Sequence, residues 1–187
     1  ITLYPEQVSA FIHRGILKRA IDSGQLTVNC IDLRSFADPP HFNVDDYPYS
    51  NRQGMLLKAD ILSRALNDPS VQGAQIIMPD PKGKQFEWSD AKALSTQDSV
   101  VFICPSFEGV DHRIMDMFDI QQFSIGDVIV PTGDTPALLM AESMIRYLPN
   151  VLGCSDCVEN DSILSGLLEA PQFTAPRSID DQYTVPD

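Results

Sequence analysis

Basic residues are scarce in this chain: its 187 residues carry 13 Lys and Arg against 26 Asp and Glu, a formal charge of −13. A nucleic-acid binder ordinarily spreads a basic footprint that displaces phosphate counterions, so broad phosphate grip is excluded as a main source of affinity. Long apolar runs are missing too. No stretch of 18 apolar residues occurs, which excludes a membrane-spanning helix. No charged segment leading into an apolar run opens the chain, so no secretory signal is expected. The chain begins without an initiator Met at Ile1, in what reads as mid-strand, so both ends read as trimmed. Neither a GxGxxG nor a Walker pattern occurs, which excludes the usual dinucleotide and P-loop cradles. Repeats and low-complexity segments are also absent. Four cysteines without a secretory signal point to a reducing compartment. Cys154 and Cys157 have the spacing of half a zinc site or a redox pair. Neither Cys30 nor Cys104 supplies a partner at similar spacing, which favours ordinary loop cysteines.

What is present reads as an α/β domain with a substantial core, since 43% of the residues are hydrophobic. Val100–Cys104 is a continuous apolar run, the pattern of a strand covered on both faces, and Val128–Val130 is read as a second. Turn residues follow each: Pro105-Ser106, then Pro131-Thr132-Gly133. The second turn feeds a long helix expected to begin at Pro136 with Asp134 or Thr135 as its cap. Loops at the carboxyl ends of neighbouring parallel strands are where open α/β sheets bind ligands.

Elsewhere, Pro5-Glu6 opens a helix that Gly15 breaks, and a second runs from Ile16 to Asp22. Leu26–Cys30 alternates like a strand. Asp38–Gln53 is a long polar loop and therefore a candidate functional one. Lys58–Asn67 is an amphipathic helix, Gln75–Pro79 a strand, Asp80–Gly83 a turn, and Ser89–Thr96 a short helix capped by Ser89. A loop at Cys154–Asn160 and a helix from Asp161 to Glu169 come next, and the tail after Pro171 reads as non-globular. Arg14, Lys18 and Arg19 lie close together, with Arg14 and Lys18 one helical turn apart, and Lys82 and Lys84 share a turn; a solvated face is the ordinary reading of such clusters.

The same central stretch carries a resemblance. Phe107-Glu108-Gly109-Val110-Asp111-x-Arg113, Ser124-Ile125-Gly126-Asp127 and Gly133-x-x-Pro136-Ala137 are its strongest parts. Leu3-Tyr4-Pro5-Glu6, Val44-Asp45-Asp46-x-Pro48-Tyr49 with Gly54-Met55-Leu56, Val151-Leu152-Gly153 and Asp161-Ser162 extend it over nearly all 187 residues. In this order and spacing the chain resembles the bacterial tRNA (guanine-N1)-methyltransferases, knotted enzymes of the SPOUT class. The resemblance implies a parallel-cored sheet flanked by helices with a deep trefoil knot. It implies a catalytic domain over residues 1–153. Residues 154–187 would be a flexible linker with a short helix, leading to a tRNA-binding domain that this chain does not include. It also implies methyl transfer from S-adenosylmethionine to N1 of the guanine next to the tRNA anticodon, in a cytoplasmic homodimer without a membrane.

Carried over residue by residue, the resemblance assigns cofactor binding to backbone groups of three loops: Met78, Pro79, Asp80 and Pro81; Pro105, Phe107 and Glu108; and Ser124, Ile125, Gly126, Asp127, Val128, Ile129 and Val130 with Gly133 and Pro136. A mostly apolar slot of short loops suits a neutral or cationic ligand, and Asp134 at the helix start would repel an anion. By position alone Asp161 reads as a helix cap and Arg146 as the partner of Glu142 in a surface pair. The resemblance makes them the base and its arginine, with Glu108 as a magnesium ligand or a contact to the base edge. An alternative, a diverged relative that binds an S-adenosylmethionine-like ligand or RNA without turnover, is favoured by the lost glycines, the missing arginine and the acidity. Ser50-Asn51-Arg52-Gln53 stands where the family carries a glycine run and Pro105-Ser106 where it carries Gly-Arg, while Thr132 for a glycine is a milder change.

Overall fold

In the computed structural model, which describes residues 1–50, 53–152, 170–180 and 182–186, three parallel strands form the central sheet. These are β3 (Gln75–Gln85), β4 (Val100–Phe102) and β5 (Ile120–Ser124), in the order β4-β3-β5. β3 is central because it is apolar on both faces: Ile77 packs with Leu94, Phe123 and Met140, whereas Met78 packs with Leu62, Ile103 and Ile114. The ladder continues past β4. Cys104 donates its amide to the Ile1 carbonyl at 2.9 Å, and Thr2 in turn bridges Asp32 in parallel. The opening residues therefore sit inside the sheet, between Ile31–Leu33 and the end of β4.

Helices cover both faces. On one lie α3 (Ala59–Leu66), the short 3-10 turn Leu33–Phe36 and α5 (Arg113–Met117). The other carries α4 (Trp88–Leu94) and α6 (Asp134–Ile145), with α1 (Pro5–Ile12) and α2 (Gly15–Asp22) packed on α6. A capping box between Glu87 and Asp90 starts α4, so Glu87 takes the cap expected of Ser89. A two-stranded antiparallel piece, β1 (Asp45–Asp46) with β2 (Leu56–Leu57), ties the long polar loop to Val110 through Leu57.

Three expected elements differ. Val128–Val130 is not a buried strand: these residues are exposed, Ile129 at 86%, and the strand is β5 instead. Gly126, at φ +122°, turns the chain away immediately after Ser124, and a three-residue apolar run carries too little periodicity to reveal that. Leu26–Cys30 is extended without strand pairing, because Leu26 and Val28 pack against Ile12, Leu17 and Ile145 rather than into a ladder. In the separate unit Cys154–Asp187, the tail forms a hairpin of β6 (Ser178–Ile179) and β7 (Tyr183–Thr184). The expected Asp161–Glu169 helix and Cys154–Asn160 loop lie outside the described residues.

The turn at Asp80–Gly83 is a register break within β3, where Pro79 and Lys84 both oppose Phe123. A Cβ on Gly83 would lie 2.6 Å from the Gln122 carbonyl carbon and from the Phe123 amide nitrogen. Gly83→Ala is expected to cost about 1–3 kcal/mol, seen as a lower urea midpoint at unchanged slope.

Candidate functional site

Loops leave the carboxyl ends of β4 and β5, and backbone contacts fix them to each other. The third expected loop, Met78–Pro81, is instead part of β3, paired with β5 and with Met78 and Pro79 buried. After β4, the Pro105 carbonyl accepts from the Gly133 amide at 2.6 Å, and Ser106 bridges Thr132. A Cβ at Gly133 would come within 2.7 Å of the Pro105 nitrogen and 3.0 Å of the Cys104 Cα, so only glycine permits this approach. Gly133 also caps α6, which starts at Asp134, two residues before the expected Pro136. Asp134 is 2% exposed; it accepts a hydrogen bond from the Thr2 hydroxyl and its Oδ2 has no partner. Its carboxylate is therefore turned into the fold, away from the loops.

The β4 loop closes as a turn, the Gly109 amide meeting the Ser106 carbonyl at 3.1 Å. Phe107 holds φ +60°, a costly setting for a bulky residue, and its ring is half exposed. The next residue, Glu108, donates its amide to the Met55 carbonyl at 3.0 Å and lays its side chain across Gly54. That contact explains the Gly54-Met55 pair: a Cβ at 54 would occupy the space Glu108 fills. Asp111 then pairs with Arg113, whose hydrogen bond holds the Asp111 carboxyl below the ordinary carboxylate range. Burial pushes the neighbouring Cys104 thiol up to about 12, so it is no nucleophile.

The irregular part of β3 is braced from β5. Gln122 Nε2 donates to Asp80 Oδ2 at 3.0 Å, while Asp80 Oδ1 accepts the Lys82 amide at 2.8 Å. In the β5 loop the Ser124 hydroxyl and the Gly126 backbone bond each other, and Val128, Ile129 and Val130 present apolar surface to solvent. Pro105–Ser106 and Thr132–Gly133 are thus brought together, Ser124–Val130 continues from the end of β5, and Pro136 is buried in the first turn of α6, whereas Met78 packs into the core. Exposed Phe107, Val128, Ile129 and Val130 offer apolar surface, and Asp80, Glu108 and Asp127 add carboxylates, a mixture that fits a ligand carrying an aromatic ring and a positive centre.

Arg146 does not join them: it sits at the far end of α6, about 20 Å of helix from Gly133. Asp161 lies outside the described residues. Among the described residues no group of three or more His, Cys, Asp or Glu comes together. The basic cluster on α1 and α2 is engaged locally: Arg14 lies over the Phe11 ring, Lys18 pairs with Asp22, and Arg19 donates to the Val151 carbonyl. Sequence reasoning missed the Thr2–Asp134 and Gln122–Asp80 bonds. Pairs 132 and 42 residues apart leave no local signal.

Gly133→Ala is expected to separate the β4 and α6 loops and weaken ligand binding at this edge by at least tenfold, read by calorimetric titration. Asp111, its carboxyl depressed, contributes stability above the unfolded aspartate pKa of about 3.9. That contribution is lost as pH falls through the lower folded value. Thermal melts should therefore show the wild type's advantage over Arg113→Leu at pH 6 disappear in acid.

Known proteins place this edge in context. The family model described as tRNA (Guanine-1)-methyltransferase TrmD matches residues 1–187. The tRNA (guanine-N(1)-)-methyltransferase of Staphylococcus aureus (strain MRSA252) is 38% identical over 188 residues, covering 100% of this chain and 76% of the relative. The protein of the same name from strain N315 matches with the same identity and coverage. The crystal structure of the tRNA (m1G37) methyltransferase from Aquifex aeolicus matches with a TM-score of 0.80 and 30% identity, covering 99% of this chain and 78% of that one. With its whole length matched and its glycines explained by the loop contacts they permit, the chain belongs to the tRNA (guanine-1)-methyltransferase family.

Proposed function

We propose that this protein transfers a methyl group from S-adenosylmethionine to N1 of the guanine beside the tRNA anticodon. The observation that carries the reading is the closure of the β4 and β5 loops on each other through the Gly133–Pro105 contact, in a chain matched end to end by the family. The cofactor would be held by backbone groups of Met78–Pro81, Pro105–Glu108 and Ser124–Val130, and when bound it supplies an electrophilic methyl group. The chain threads these loops as the family's trefoil knot. Residues 1–153 act as the catalytic domain, and residues 154–187 lead toward a tRNA-binding domain.

Guanine N1 carries a proton at neutral pH, so a base must remove it as the methyl group arrives. Asp161 takes that proton, its basicity raised when the nucleotide excludes water. Arg146 faces the carbonyl oxygen of the guanine and stabilises the charge building there. One chain separates Arg146 from its own loops by the length of α6. A second copy completes the site, so the active form is a homodimer, working in the cytoplasm. Pro105, which has no amide hydrogen to offer, leaves the Pro105–Glu108 loop one donor short toward the cofactor.

Asp161→Asn is expected to lower the single-turnover methylation rate by at least a hundredfold with cofactor affinity kept within about twofold. Wild-type turnover in that variant would reduce Asp161 to a helix cap. Mixing inactive Asp161→Asn with inactive Arg146→Ala should restore activity only if the two residues serve a site from different subunits. Sedimentation should show a dimer at micromolar concentration.

A further inference from the structure

Resting on the reading that the chain acts on tRNA, we infer that Tyr47 and Tyr49 form a stacking platform for an RNA base flanking the target guanine. Tyr47 is 77% exposed and Tyr49 fully so. Two large rings one proline apart, both left in water, are the signature of a contact surface rather than of a core. Their loop is anchored to the site. It leaves β1 at Asp46, whose strand pairs with Leu56–Leu57, and Leu57 bonds the Gly109 carbonyl at 2.9 Å in the turn that carries Phe107 and Glu108.

Charge explains why aromatic contact matters. The chain carries −13, and among the described residues Lys18, Arg34, Arg64, Lys84 and Arg113 each pair with a carboxylate. So acidic a chain draws little affinity from releasing phosphate counterions, which gives weight to a term indifferent to charge. Stacking on nucleobases is that term, and it tolerates any base because every base has a π face. Base-paired RNA offers no such face, so the platform selects an unstacked loop such as an anticodon.

The test uses the full chain and an unmodified tRNA transcript, with dissociation constants measured by fluorescence anisotropy at several salt concentrations. Tyr47→Leu and Tyr49→Leu are each expected to weaken binding about tenfold without changing the slope of affinity against salt. Phenylalanine at either position should restore it. Unaltered S-adenosylmethionine affinity in the leucine variants would show that the fold is kept. Wild-type tRNA affinity in both leucine variants overturns the platform and leaves the rings as a protein-contact surface. A steeper or shallower salt slope in those variants also overturns it, since the tyrosines would then act through phosphates. Wild-type protein that binds no tRNA overturns the methyltransferase reading and the platform together.

Discussion

The close approach of Gly133 to the backbone of Cys104 and Pro105 is the constraint on which this site depends. Two loops from different parts of the sheet meet with no side chain between them, joined by one short amide-to-carbonyl bond. That bond fixes where α6 begins, and α6 in turn organises the whole face bearing α1, α2 and α4. A ligand enclosed by such loops meets main-chain dipoles already in place, which cost no reorganisation when charge shifts during reaction. Gly83 and Gly54 act alike elsewhere. One lets β3 lie against β5, and the other makes room for Glu108.

Much of this was legible in the residues. The apolar run at Val100–Cys104, the proline-opened helix at Pro5 and the amphipathic Lys58–Asn67 each carry a periodicity or a breaker that acts locally, and each element is present. The family and its chemistry were legible from the order of short motifs. What failed has a common physical cause. Val128–Val130 and Leu26–Cys30 are apolar and β-branched, but whether such a stretch joins a ladder depends on the partner beside it. Gly126 removes the first from the sheet, and the packing of Leu26 and Val28 against α1 and α2 removes the second. The bonds that brace the loops join residues far apart in sequence, where composition and spacing carry no information.

Acidity also acquires a physical role. A negatively charged surface repels RNA everywhere except where contact does not depend on charge, which narrows the number of ways a polyanion can dock. The carboxylates that neutralise Arg64, Lys84 and Arg113 hold these side chains in defined positions instead of leaving them to grip phosphate without selectivity. In such a protein specificity is set by what the surface refuses.

The bond between Thr2 and Asp134 joins residues 132 positions apart. Thr2 lies in the bridge beside Asp32, and the carboxylate that receives its hydroxyl opens α6. During synthesis Thr2 gains this partner only once Asp134 has emerged, 132 residues later. Long loop closure slows such folding and exposes it to misassembly. The contact between the opening residues and α6 therefore forms only when both ends of the unit are present.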